Sequence, residues 1–91
     1  MIPLVSLLLG VSMVSGQQIK AARLLLGLDS RQLAVMADVG VATIKRFEAA
    51  DGIPASRSGN LEKVRAALEA RGIRFLGDPI TSPGVQLIRP K

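Results

Sequence analysis

Residues 30–49, SRQLAVMADVGVATIKRFEA, constrain the fold more than any other part of the chain. Apolar side chains recur at helical spacing in two short runs, with Asp38-Val39-Gly40 between them. Neither run is long enough to be a stable helix alone, so each must bury its apolar stripe against the other or against a third element. Leu33, Ala34 and Ala37 form the inward face of the first run, and Ile44 and Phe47 that of the second. Ala34 is small enough to let the second helix cross close over the first. Val39 sits in the turn, where it plugs the angle between them. Two short helices crossing over a tight turn make a helix-turn-helix.

The flanking sequence supplies the elements that complete such a bundle. Ser15-Gly16-Gln17-Gln18 reads as a capping box, the Ser15 hydroxyl accepting an orphan amide and Gln18 reaching back. Ile19, Ala22 and Leu26 follow at spacings of three and four, and Gly27 ends the helix. Leu24 and Leu25 widen its apolar face, which predicts a largely buried helix. Asp29 with Gln32 predicts a second box that opens the helix at 30–37. A third helix over 41–50 ends at Asp51-Gly52-Ile53-Pro54. Asn60 or Ser58 then caps a longer helix to residue 71, with Leu61, Val64, Ala67 and Leu68 inside and Gly72 closing it. Ile73-Arg74-Phe75-Leu76 and Val85-Gln86-Leu87-Ile88-Arg89 bracket GDPITSPG and predict two antiparallel strands. The expected fold is mainly α, a compact bundle of four to five helices with a short C-terminal antiparallel strand pair. Residues 15–72 form the helical domain, and residues 73–91 the strand pair and tail.

Residues 1–14, MIPLVSLLLGVSMV, form an apolar N-terminal extension or arm with no charged side chain. About 14 residues span only about 21 Å as a helix, short of the ~30 Å bilayer core. No Lys or Arg precedes the apolar run, as a secretory signal would have. Three readings stay open: an extension upstream of a natural start at Met13, an arm that holds a partner or a second copy, and a membrane address.

Composition narrows the function. Ninety-one residues make one domain. Twelve Lys plus Arg against seven Asp plus Glu give a net charge of +5 and a pI near 10.8. Polyanions are the favoured partners, nucleic acid before an anionic membrane. The absence of Cys excludes disulfides, thiol catalysis and cysteine-ligated zinc. The absence of His removes the commonest general base. The remaining carboxylates, lysines and hydroxyls form no paired constellation, so neither catalysis, a metal nor a cofactor is expected. Phe47 and Phe75 are the only aromatic residues, which disfavours single-strand binding by base stacking. These features describe a small, basic, cytoplasmic binding module.

The stretch 17–50, QQIKAARLLLGLDSRQLAVMADVGVATIKRFEAA, closely resembles the lambda-repressor-like (Cro/repressor, or xenobiotic-response-element) family of transcriptional regulators. The resemblance continues through LEKVRAALEARGIRF to the closing PGVQL, covering residues 15–89. It implies that helix 30–37 crosses the DNA backbone while helix 41–50 lies in the major groove of double-stranded DNA. The family's DNA-facing positions fall on Gly40, Val41, Ala42, Lys45 and Arg46, with Thr43 at the edge and Ser30 as a phosphate anchor. Arg57, before the last helix, is a further phosphate candidate. With Ile44 and Phe47 inward, helical geometry turns Val41, Ala42, Lys45 and Arg46 away from the core. Arg46 can read guanine bidentately, Val41 and Ala42 can touch thymine methyls, and Lys45 suits a phosphate. Ser30 and Asp38 stand where the family usually has Gln and Gly, and Gly40 replaces its usual Ser or Thr cap. Arg23 and Glu48 fall where the family has a partly buried ion pair, a structural role rather than a DNA contact.

The resemblance implies a sequence-specific regulator acting by operator occupancy, as a homodimer paired through residues 73–89 or the N-terminal run. The alternative is an antitoxin-type module that binds a partner protein, a toxin, as well as DNA. The alternating charges Glu62, Lys63, Arg65, Glu69 and Arg71 read as a solvated face with no site. Gln17 and Gln18 read as capping residues.

Overall fold

The computed structural model describes residues 13–56 and 59–90, and the expectations placed on residues 1–12, Arg57 and Ser58 lie outside the described residues. Among the described residues, four helices are followed by a two-stranded antiparallel sheet. They are α1 (Gly16–Leu25), α2 (Ser30–Ala37), α3 (Val41–Ala49), α4 (Asn60–Ala70), β1 (Ile73–Leu76) and β2 (Gly84–Leu87). The fold is small and mainly α, and its radius of gyration of 12.3 Å matches the ~12 Å of a compact domain this long.

Both predicted capping boxes form. The Ser15 hydroxyl accepts from the Gln18 amide while the Gln18 carbonyl oxygen accepts from the Ser15 amide. Asp29 and Gln32 make the same reciprocal pair at 2.8 Å each way. Each box satisfies two amides that a helix start would otherwise leave orphaned. Asp38 ends α2 in the left-handed conformation, with φ 57° and ψ 49°. A residue with a Cβ holds that shape at a cost relative to glycine, and Asp is among the few that tolerate it. The reversal lets the chain turn into α3 within three residues.

One buried cluster joins the four helices and β1, and Val85 and Leu87 of β2 pack against it partly buried. Val14, Ile19 and Ala22 meet Leu33, Ala34 and Ala37 of α2, Ile44 and Phe47 of α3, Leu61, Val64 and Leu68 of α4, and Ile73 of β1. Val39 packs partly buried against it from the turn, as the sequence predicts. The start of α1 sits against the end of α3. The Gly16 amide donates to the Gly52 carbonyl at 3.0 Å, and a methyl on Gly16 would overlap the Phe47 carbonyl oxygen. The amide end of one helix thus meets the carbonyl end of another, a favourable dipole arrangement that leaves no room for a Cβ.

Three expectations need correction. Leu24 and Leu25 do not broaden a buried face, for they are 59% and 43% exposed. α1 packs chiefly against α3, α4 and β2, and Leu24 and Leu25 stand off that packed surface. Asn60 does not cap α4. Gly59 occupies the cap position in the left-handed region, and the Ser56 hydroxyl, five residues before Leu61, accepts the Leu61 amide at 3.2 Å. Finally, β2 covers Gly84–Leu87 rather than 85–89. The Ile88 amide still donates to the Gly72 carbonyl opposite it at 2.8 Å, but the extended backbone ends at Gly72. Gly72 has φ 97°, and a side chain there would meet the Ile88 carbonyl oxygen.

The sheet pairs Ile73 with Leu87 and Leu76 with Gly84. Its seven-residue connection, 77–83, is long for a hairpin but organised by its own side chains. The Asp78 carboxylate accepts from the Thr81 and Ile80 amides, which holds its pKa below the usual Asp value. The Ser82 hydroxyl accepts from the Asp78 amide.

Gln18 ties this hairpin to α1. Its side-chain amide donates to the Leu76 carbonyl at 3.2 Å and the Gly84 carbonyl at 3.0 Å, 58 and 66 residues away. Gln18 is 3% exposed, so an unmatched group there is costly. Gln18→Glu keeps an oxygen for the Ser15 amide but sets a carboxylate against two carbonyls. It is expected to lower stability by about 1–3 kcal/mol. In hydrogen exchange the β1 and β2 amides should lose protection before those of α2 and α3. Uniform loss across the chain would count against this link.

Candidate functional site

The site expected from sequence lies on α3 and its approach. α3 packs across α2 and α1 through Ile44 and Phe47, both fully buried. Its opposite side faces solvent. Gly40, Ala42, Lys45 and Arg46 are exposed, Ser30 and Thr43 are half-buried, and Arg57 lies outside the described residues. Gly40 starts α3 with no side-chain cap, so the first amides of the helix have no side-chain partner there.

Val41 departs from the expectation. It is half-buried and packs against the core instead of turning outward. The reason is helical: Val41 stands three residues before Ile44, and residues three apart share a face. Its carbon surface is therefore largely committed to packing.

Arg46 is placed differently again. Its guanidinium donates to the Ala55 carbonyl at 3.0 Å and lies 5.0 Å from the centroid of the Phe47 ring. It braces the segment after α3 against the helix that carries it. Lys45, one residue earlier, makes no such contact and points its ammonium to solvent. Among the described residues, the exposed face thus holds Lys45 without a side-chain contact and Arg46 with one terminal nitrogen engaged on a carbonyl.

The orientation of this face is set from behind by Arg23 and Glu48. Arg23 Nε donates to Glu48 Oε2 at 2.8 Å and its second terminal nitrogen donates to Glu48 Oε1 at 2.9 Å, a bidentate pair. The remaining nitrogen donates to the Leu28 carbonyl at 2.9 Å. The side chains are only 13% and 9% exposed. The Glu48 hydrogen bonds raise the Arg23 pKa above its usual value, so the guanidinium stays cationic wherever the protein folds. One side chain on α1 therefore fixes α3 and the α1–α2 turn together, and the fork geometry sets angle as well as distance.

The sequence offered no sign of the Arg46–Ala55 contact or of the long-range role of Gln18. Both end on backbone carbonyls, which every residue possesses. Among the described residues no group of three His, Cys, Asp or Glu could hold a metal ion. No helix of the described residues is long and apolar enough to cross a membrane. No protein-family model, curated protein or solved structure matches the chain.

Proposed function

We propose that this chain is a sequence-specific double-stranded DNA-binding transcriptional regulator of the lambda-repressor-like kind, acting by operator occupancy. The observation that carries the reading is the pairing of α2 and α3. Asp38 in the left-handed region and Val39 at the angle turn two short helices across one another, leaving Ala42, Lys45 and Arg46 outward. A net charge of +5 supports a polyanionic partner. In this reading α2 and α3 are a helix-turn-helix, with α3 in the major groove and the amide end of α2, at Ser30, on a phosphate. Val41 contributes chiefly by packing. A dimer would place two such helices about 34 Å apart, one turn of DNA.

Salt dependence tests the reading. With roughly 4–8 phosphates neutralised per dimer, log affinity should fall against log salt with a slope of about −4 to −7. Selection from random duplexes at physiological salt should enrich a two-fold-symmetric site. A slope near zero, or no enrichment, would overturn the proposal.

Two neighbouring cations then divide the work. Lys45→Ala is expected to weaken binding to all sequences nearly equally, as loss of a phosphate contact does. Arg46 exchanges its exposed bond to the Ala55 carbonyl for a guanine edge. Arg46→Ala is expected to cost about 1–3 kcal/mol on the preferred site and relax one base position. Titration of matched and scrambled duplexes separates the two, and identical behaviour would remove the distinction.

A further inference from the structure

On the side of α2 away from the α3 contact, an open groove of about 470 Å³ runs between α2 and the end of α4. Leu28, Val35 and Met36 provide its apolar surface, and Arg31, Gln32 and Arg71 border it. Val35 is 82% exposed, the most open large apolar side chain among the described residues. No carboxylate lines the groove. Of the carboxylates nearest in sequence, Asp29 caps α2 through the Gln32 amide and Glu69 pairs with Arg65, while Asp38, at the end of α2, is exposed and does not line the groove. Neither the Arg31 nor the Arg71 guanidinium has an ion-pair partner among the described residues.

Apolar floor and unpaired cations on the border together specify an occupant. A second copy docked groove to groove would bring Arg31 and Arg71 against their own kind, and like charges across a contact oppose association. A nucleic acid would satisfy the cations but leave Val35, Met36 and Leu28 without apolar contact. An amphipathic helix with acidic flanks satisfies both. Leucine-type anchors at helical spacing would lie along Val35 and Met36, and carboxylates would reach the guanidinium groups. Met36 suits such a role, since its flexible thioether adapts to the anchor presented. We propose that the α2–α4 groove is a docking site for an acidic amphipathic helix of a partner protein. The inference does not rest on DNA binding, although Arg31 at one end of the groove adjoins Ser30, the residue placed on a phosphate above. The groove is small and open, so the contact belongs to the weak, transient class.

The test uses the full chain and two synthetic helical peptides with identical leucine spacing. One carries glutamates between the leucines and the other lysines. In an amide-resolved NMR titration the acidic peptide is expected to shift Leu28, Arg31, Val35, Met36 and Arg71. The basic peptide should bind at least tenfold more weakly. Val35→Asp and Arg71→Glu, both at exposed positions, should each weaken the acidic peptide at least tenfold while the chain stays folded at the titration temperature, since a negative charge at a helix C-terminus lowers the melting temperature only modestly. Each change adds negative charge, so duplex affinity should fall modestly for all sequences while the preferred sequence stays the same, and failure here and failure of DNA binding are read separately. Four outcomes would overturn the proposal. The two peptides could bind equally, or a short duplex could shift the groove amides in place of the acidic peptide. Sedimentation could show self-association lost in Val35→Asp. A peptide of residues 1–12 could occupy the groove in preference to the acidic one.

Discussion

Phe47→Ala is expected to remove about 3–5 kcal/mol of stability, the usual cost of truncating a fully buried aromatic ring. Phe47 is 0% exposed and heads the largest fully buried side chains. A domain of this length holds roughly 5–14 kcal/mol in all, so one substitution removes about a fifth of the total or more. The loss should appear as a fall in melting temperature of about 15–30 °C. Phe47 belongs to α3, and its carbonyl is the group against which Gly16 packs. The cavity therefore opens between α3 and α1, and the orientation of the proposed DNA-facing surface should fail with the fold. A fall of only a few degrees would place the centre of the core elsewhere.

Arg23→Ala carries the second largest effect, for a different reason. The pair itself contributes modestly, because two charges were desolvated to form it. Removing one partner leaves Glu48, 9% exposed, without a counter-charge, and strips the Leu28 carbonyl of its donor. A loss of about 2–4 kcal/mol is expected. Arg23→Met combined with Glu48→Leu should restore much of it, since an apolar pair has no charge to desolvate. Chemical denaturation of the two single variants and the double variant closes the cycle, and purely additive losses would show that the residues do not interact. In the restored variant the α3 angle rests on packing alone. Stability recovered without DNA affinity would show that the bidentate fork serves orientation beyond holding the helices together.

Much of the fold is legible along the chain, and the legible part has a common range. Ser15 with Gln18 and Asp29 with Gln32 act across three residues. The inward stripe of Leu33, Ala34 and Ala37 and that of Ile44 and Phe47 follow from helical spacing. Asp38 adopts the left-handed turn because its own side chain tolerates it. The candidate surface is legible in the same way for Ala42 and Lys45, which simply stand opposite the buried stripe. Val41 obeys the same periodicity: three residues before Ile44, it shares the buried face and packs against the core.

What only the tertiary structure decides involves partners far along the chain. Leu24 and Leu25 look like core residues, yet whether a leucine is buried depends on a neighbouring element arriving, and these two stand off the surface that α1 packs against α3, α4 and β2. Gln18 reads as a cap and is one, but its amide nitrogen also reaches carbonyls 58 and 66 residues on. Arg46 reads as a free cation until the fold brings the Ala55 carbonyl beside it. Gly16 must lack a side chain because α3 ends where its Cβ would stand. Local hydrogen bonds and helical periodicity act within one or two turns, and the order of residues alone specifies them. Burial, close approach and bonds to distant backbone depend on how the helices pack, and only the folded arrangement determines those.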